Sequence, residues 1–505
     1  MIHSVRKLEE LIKDDDSKIN LLAYYDGATE ASPTMYYDFS EPGKAAHAFA
    51  ATVKKSHGRN TAEVSLPANE NAATMQSIYN FVDWCVSSAD GKRGRTADNY
   101  ALIVSGHGSG FQNLSFLQDA RSNYYMTIPT FRKTLKWIKE DLITDGISIL
   151  GFDNCVMGML EIGNELQDYV KYMVASEGYI PNAGWPYEIM LGNLISDTRS
   201  SQPAEVAKGF VTSFIELQKT YAFGGVSVDI SAWELSSIND LAKAADALGE
   251  ILLKGFHDPL SRRLLKMIIV QAHYECQSYM FEQNVDLKDF STKLLENLDL
   301  LGTDLMLELD NVGTESKFNL QTELKRRCEA VNSAVDKCIL ISGFSGGKFQ
   351  YSNGAAIFFP WTATVYNTSK DNYEKLAFVR SDAPYWNRFL RMYLDVVSLR
   401  EAQPVESFDG PDYLKFLNFT LEGVTDDSLS EAHDKVINNT ENKVINNTEN
   451  KVINNTDNRV INNTGDKVIN NTANRLLSVM GLTTIDFKNV SMPWWVSGYA
   501  KKDDS

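Results

Sequence analysis

The chain has 505 residues, with 66 acidic against 49 basic side chains and a formal net charge of -17. That balance argues against a nucleic-acid backbone or an anionic membrane as the main partner and favours cationic ones. Apolar residues at 43% and charged residues at 23% are ordinary for a globular chain that buries one large core with additions, or two cores.

Residues 1–18 read as a charged lead-in helix without the continuous apolar segment of a secretory signal. Nothing later reaches the roughly 18 apolar residues of a membrane span. The five cysteines, Cys85, Cys155, Cys276, Cys328 and Cys338, are scattered, odd in number and free of any CxxC pairing. This pattern predicts a reducing, cytoplasmic setting.

Residues 19–27, INLLAYYDG, read as a first buried strand, and 28–60 as polar and irregular. AEVSLP at 62–67 alternates like a strand, and the spacing of Met75, Ile78, Phe81, Val82 and Cys85 predicts a helix with Cys85 packed in its core face. GKRGRTADN at 91–99 is a basic, glycine-rich loop leading into YALIVSGHGSG at 100–110, an apolar strand that runs into a glycine-flanked histidine, His107. A polar stretch follows, then an amphipathic crossover helix marked by Phe131, Leu135, Trp137 and Ile138.

The stretch ISILGFDNCVMGMLEIGNELQDYV, 147–170, organises the rest. Ile147, Ile149, Leu150 and Phe152 make a short buried strand, and from Met159 the apolar spacing turns helical. Cys155 falls at the junction, where the free N–H groups of a helix N-terminus would favour its thiolate and could hold an oxyanion. In an open α/β sheet ligands collect beyond the carboxyl ends of the strands, so two parallel strands ending in His107 and Cys155 would bring both groups to one edge. Further strands are expected at 172–176, YMVAS, and 223–230, FGGVSVDI. A mainly helical stretch should run to about 335, strands return near 338–361, and a helix closes the region over 373–399.

The tail repeats an octad five times between Lys435 and Asn474, beginning KVINNTEN. Eight residues turn about 800° on an α-helix, so the Val-Ile pair makes no straight stripe there. A small β-ladder and a disordered spacer both fit the pattern. NNT matches a glycosylation sequon, which a cytoplasmic protein would not use.

HGSG followed by GFDNCVMGMLE resembles the clostripain family of cysteine peptidases, relatives of caspases, legumain and gingipains. Four later stretches resemble it too: YMVASEGYIPNAGWPY (172–187), GVSVDISAW (225–233), NVDLKDF (284–290) and SNGAAIFFP (352–360). The resemblance implies a caspase-like three-layer α/β/α sandwich with a mostly parallel central sheet in a catalytic core over 19–232. It further implies a mainly helical extension over 233–400 packing on that core, ahead of a tail over 401–505.

Amide hydrolysis by cysteine needs a thiolate, a proton donor for the leaving amine, and donors for the oxyanion. Cys155 would be the nucleophile and His107 the acid and base, and the resemblance implies an oxyanion hole formed by the backbone N–H groups of Gly108 and Cys155. Asp153 lies two residues before Cys155, on the same side of an extended chain. Its carboxylate would either accept a substrate Arg or Lys, in keeping with the basic preference of clostripain relatives, or cap the following helix. Where some relatives carry a second acid this chain has Asn182 and Ala183, with Glu177 nearby.

Relatives are often cut between the histidine and cysteine strands, and Arg121 is the basic residue placed for such autoprocessing. Calcium dependence occurs in some relatives, although no EF-hand loop is present and the chemistry itself needs no cofactor. No metal site is expected at His107 or Cys155, since neither has a second His or Cys at ligand spacing. The expected function is a cysteine endopeptidase cutting after Arg or Lys, latent until loop cleavage or a regulatory protein partner activates it. The alternative is a catalytically silent interaction protein that recruits partners through its tail.

Overall fold

The computed structural model describes residues 19–26, 34–39, 46–48, 52–54, 63–65, 71–86, 97–112, 116–119, 124–181, 183–196, 202–218, 227–280, 283–301, 306–309, 316–380 and 385–398. The lead-in, Arg121, Asn182, most of the basic loop at 91–99 and the octads lie outside these residues.

The centre is a five-stranded sheet. Its strands are β1 (Ala101–Ser105), β2 (Ile147–Asp153), β3 (Val170–Ala175), β4 (Val228–Glu234) and β7 (Ile339–Ser345), in the order β7-β4-β3-β2-β1. Strands β1, β2 and β3 pair in parallel, whereas β4 runs antiparallel to both β3 and β7. The sheet is therefore mixed: β1, β2, β3 and β7 run one way and β4 alone runs against them. One crossover helix returns a chain to the edge where the preceding strand began, but two consecutive helices bring it back to the edge where that strand ended. Between β3 and β4 the chain makes two, α4 (Tyr187–Ser196) and α5 (Pro203–Gln218), so β4 enters from the far edge.

Alternation along the strands divides the core. Ile149, Val174, Ile230 and Ala232 face α5, packing with Phe210 and Phe214. Leu150, Phe152, Met173 and Trp233 face the other way, into the larger core with Phe131 and Leu135 of α2 (Ile128–Asp141) and Leu160 and Ile162 of α3 (Leu160–Leu166). Helix α2 begins as its sequence dictates: Thr127 caps it by accepting from Thr130 N, and a proline stands in the first turn. Every residue of β2 is buried, which is why its sequence is a continuous apolar run rather than an alternating one.

The same core continues into α6 (Ile238–His257), α7 (Pro259–Glu275), α8 (Leu287–Glu296), α9 (Leu320–Cys338), α10 (Ala363–Tyr373) and α11 (Tyr385–Ser398). Of the expected closing helix over 373–399, Tyr385–Ser398 forms as α11, while Tyr373 ends α10 and turns follow it to residue 380. A small antiparallel sheet joins β5 (Ser278–Tyr279), β6 (Asn284–Asp286) and β8 (Ala356–Phe358). No described helix is long and apolar enough to cross a membrane.

The N-terminal region differs from its sequence reading. Leu22–Tyr25 is a half-buried strand of a separate three-stranded antiparallel sheet with Met35–Asp38 and Ala46–Ala48, so the stretch after residue 28 holds strands rather than irregular chain. Short strands with tyrosines on both faces leave little period-2 signal to read. The helix Met75–Val86, α1, forms as expected; Cys85 packs on the Tyr36–Trp84 cluster, and burial holds its thiol protonated. Phe116–Asp119 and Tyr124–Met126 pair as a hairpin, and Arg121 belongs to the connection between them.

Candidate active site

Register brings the two expected groups to one edge. Ser105 of β1 stands opposite Asp153 of β2, so His107 and Cys155 each lie two residues past the same rung. Gly106 N donates to Asp153 O at 3.2 Å, extending the pairing one step further. The buried Asn154 side chain then ties the loops together, donating from Nδ2 to His107 O at 3.2 Å. His107 is exposed at the rim and Cys155 half-buried. Gly108 is pressed against the cysteine turn so closely that an added Cβ would meet Cys155 O at 2.5 Å and Asn154 Cβ at 2.8 Å, which excludes any larger residue without movement.

The Cys155 turn is not a helix start. Helix α3 begins at Leu160 with Met159 as its N-cap, and residues 154–159 form a separate turn with Val156 at φ +60°. Asp153 is accordingly no helix cap, and the α3 N-terminus is too far along the chain to hold the thiolate. Backbone groups of another segment take that place: Ile180 N donates to Cys155 Sγ at 3.3 Å, and the thiol lies 3.6 Å from Ile180 O. Burial raises the Cys155 thiol above its ordinary range, the Ile180 backbone bond pulls it back, and the charges of Asp153 and Asp229 push it up again.

Asp153 sits beneath this turn, only 3% exposed. Its carboxylate accepts from Ser105 Oγ at 2.9 Å, Trp185 N at 3.1 Å and Tyr187 Oη at 2.7 Å. Burial raises its pKa, and those three donors oppose the shift. The loop 180–187 therefore covers both the sulfur and the acid. Sequence reasoning missed Ser105, Ile180 and Tyr187, because a backbone donor carries no residue signature and a hydroxyl two positions from a glycine loop looks like any polar strand end.

Glu177, a candidate second acid for the pocket, points elsewhere: fully buried, it accepts from Gly354 N at 2.9 Å. Among the described residues no three ligating side chains are arranged around an ion. The buried acids nearest the site are taken up by backbone donors, Asp229 by Glu177 N and Gly178 N, and Asp286 by Asp289 N and Asn353 N. This donor-saturated set does not fit calcium, which takes six to eight oxygen ligands.

A thiol and an imidazole on adjoining loops at the carboxyl edge of an α/β sheet, with a carboxylate beneath, is the arrangement of a cysteine peptidase. The chain belongs to the clostripain family, whose sequence model matches residues 3–393. Its fold is similar to that of a secreted C11 cysteine protease from Bacteroides thetaiotaomicron in complex with an irreversible peptide inhibitor. That structure shares 14% identity and a TM-score of 0.51 over 77% of this chain and 94% of the other. An inactive zymogen C11 protease from Parabacteroides distasonis is also similar, with 16% identity and a TM-score of 0.49 over 75% and 92% of the two chains. A search of curated proteins found no match.

Proposed function

We propose that this cysteine peptidase is an endopeptidase that cuts after Arg or Lys with Cys155 and His107 as its dyad. The observation that carries the reading is the close approach of Gly108 to Cys155, which sets the histidine loop and the nucleophile turn backbone against backbone at one sheet edge. His107 takes the thiol proton as the sulfur attacks the scissile carbonyl carbon. The backbone N–H groups of Gly108 and Cys155 receive the oxyanion, each such donor being worth about 3–4 kcal/mol of barrier. When the carbon–nitrogen bond breaks, His107 returns its proton to the leaving amine. Water, deprotonated by His107, then splits the thioester and frees the thiol.

Asp153 supplies the charge that selects a basic side chain, and the net charge of -17 favours approach of a cationic substrate. In the resting chain the acid is satisfied by Tyr187, Trp185 and Ser105, so a guanidinium or ammonium group reaches it by displacing the Tyr187 hydroxyl. A thiol held protonated and an acid held covered support a latent enzyme, opened by a cut after Arg121 or by a protein partner. The layered fold suits the caspase-like arrangement. Five free thiols support a reducing, cytoplasmic location.

Fluorogenic peptides ending in Arg, Lys or Asp, offered to wild type and Cys155→Ala, test the function. Release from Arg and Lys peptides by wild type alone is expected. Release from none of them, or equal release by Cys155→Ala, overturns the reading.

A further inference from the structure

The cysteine turn has no helix to support it, and its Val156 holds a left-handed conformation that costs a β-branched residue on the order of 1–2 kcal/mol. A second segment, 176–180, runs alongside and holds it at three points. Val156 N donates to Gly178 O at 2.8 Å, Gly158 N to Ser176 O at 2.7 Å, and Ile180 N to Cys155 Sγ at 3.3 Å. The shape of the nucleophile turn is thus copied from 176–180.

What fixes 176–180 is Asp229 on β4, 1% exposed. Its Oδ2 accepts from Glu177 N at 2.7 Å and its Oδ1 from Gly178 N at 2.8 Å, while its backbone carbonyl accepts from Ser176 Oγ at 2.5 Å. Two N–H donors on two oxygens call for the ionised, acceptor-only carboxylate. Gly178 fits because nothing larger can: a Cβ there would meet Asp229 Oδ1 and Phe349 Cζ, both at 2.7 Å.

The Glu177 side chain reaches the opposite way, into the helical half. Its Oε2 accepts from Gly354 N at 2.9 Å, and the preceding residue, Asn353, donates its N–H to Asp286, so the two acids hold consecutive residues of one loop. Asp286 already accepts from Asp289 N at 2.7 Å and from the backbone and side chain of Asn353.

We infer that Asp229, with Glu177 anchored on Gly354 behind it, positions Cys155: the two acids hold segment 176–180, and that segment holds the nucleophile turn. They are positioning residues that touch no substrate. The inference rests on Cys155 being the nucleophile, as proposed above.

Charge around Glu177 agrees. Burial, then the charges of Asp286 on β6 and Asp229 on β4, raise it well above the ordinary carboxyl range against the opposing Gly354 N–H, and Glu177 in turn raises Tyr279 on β5. An acid with a raised folded value contributes stability at low pH and loses it as pH rises through that value. The brace accordingly loosens as pH rises through the raised Glu177 value.

The test uses the full chain, following kcat and KM on the best fluorogenic peptide and, separately, the rate at which iodoacetamide alkylates Cys155, read by mass on that peptide. Asp229→Asn keeps an oxygen for one of the two backbone N–H groups and turns an N–H donor toward the other. It should lower kcat about tenfold or more with KM little changed, and alter the alkylation rate about threefold or more while circular dichroism stays native. Glu177→Gln keeps an oxygen for Gly354 N, so it should match wild type in kcat and in alkylation rate. Glu177→Ala should behave like Asp229→Asn.

A folded Asp229→Asn with wild-type kcat and alkylation overturns the inference. Should that variant not fold, Glu177→Ala indistinguishable from Glu177→Gln overturns it instead. Altered alkylation in a chain whose wild type cleaves no peptide would leave the brace standing and remove the peptidase reading. Turnover with no effect of the acids would do the reverse.

Discussion

Gly108 stands so close to Cys155 that a methyl group on its α-carbon would lie 2.5 Å from the Cys155 carbonyl oxygen and 3.3 Å from its nitrogen. Both contacts are with backbone, which cannot rotate aside. Gly108→Ala is expected to cost about 1–3 kcal/mol, seen as a lower Tm. It should also reduce kcat about 100-fold by moving one of the two proposed oxyanion donors.

The two reacting groups should separate activity from stability. His107 is exposed, so His107→Ala should leave unfolding within about 0.5 kcal/mol of wild type. Turnover should nevertheless fall about 1,000-fold or more in His107→Ala, and to background in Cys155→Ala. Urea titrations beside peptide assays provide the comparison. A large stability loss in His107→Ala would assign that residue a structural role.

Asp153 is the residue on which substrate choice is expected to turn. Asp153→Asn keeps an oxygen for Trp185 N, and the hydroxyls of Ser105 and Tyr187 can rotate to accept from the new amide. The fold should therefore survive while kcat/KM for Arg and Lys peptides drops about 100-fold, the loss of a charge-assisted pair of roughly 3 kcal/mol. An unchanged Arg preference would place the selecting acid elsewhere.

Processing follows from the same activity. Purified wild type should accumulate fragments split after Arg121, and Cys155→Ala should remain whole on the same gel. Full activity from uncut wild type would separate cleavage from activation.

Glu161 gives a pH-dependent stability. Buried in α3 and accepting from Phe358 N at 3.0 Å, it is pushed by burial up to about 7, against an ordinary value of 4.5. The folded chain therefore binds a proton here that the unfolded chain has released, and this contribution is lost as pH rises from about 4.5 to about 7. Glu161→Gln should flatten that part of the Tm-against-pH curve, as read by calorimetry across the range.

Much of the centre was legible because burial writes plainly in sequence. The unbroken apolar runs before His107 and Cys155 read as parallel strands, fully buried in β2 and half-exposed in β1 at the end of the sheet order, and their shared rung at Ser105 and Asp153 follows from that pairing. The reversal of β4 was not legible, since it depends on whether one or two helices precede it. The support of the thiol was misread for a related reason. A helix N-terminus can be read from apolar spacing, whereas the Ile180 backbone that replaces it lies 25 residues away and carries no side-chain signature.

Four of the family-like stretches carried a signal that sequence reasoning left unused. Each contributes one partner to a single network: Glu177, Asp229, Asp286 and Asn353 with Gly354. Acids inside otherwise apolar strands are costly to bury, so their recurrence in SEG, VDI and NVD was itself a sign that they meet one another.

The antiparallel β4 lies between β3 and β7, and β7 arrives only after residue 338. A recombinant fragment stopping near residue 232 would thus end inside β4 and leave its remaining backbone N–H and C=O groups open along one side, a template for self-association. The portion that bears the sulfur and the portion that bears β7 must be made, purified and inherited together.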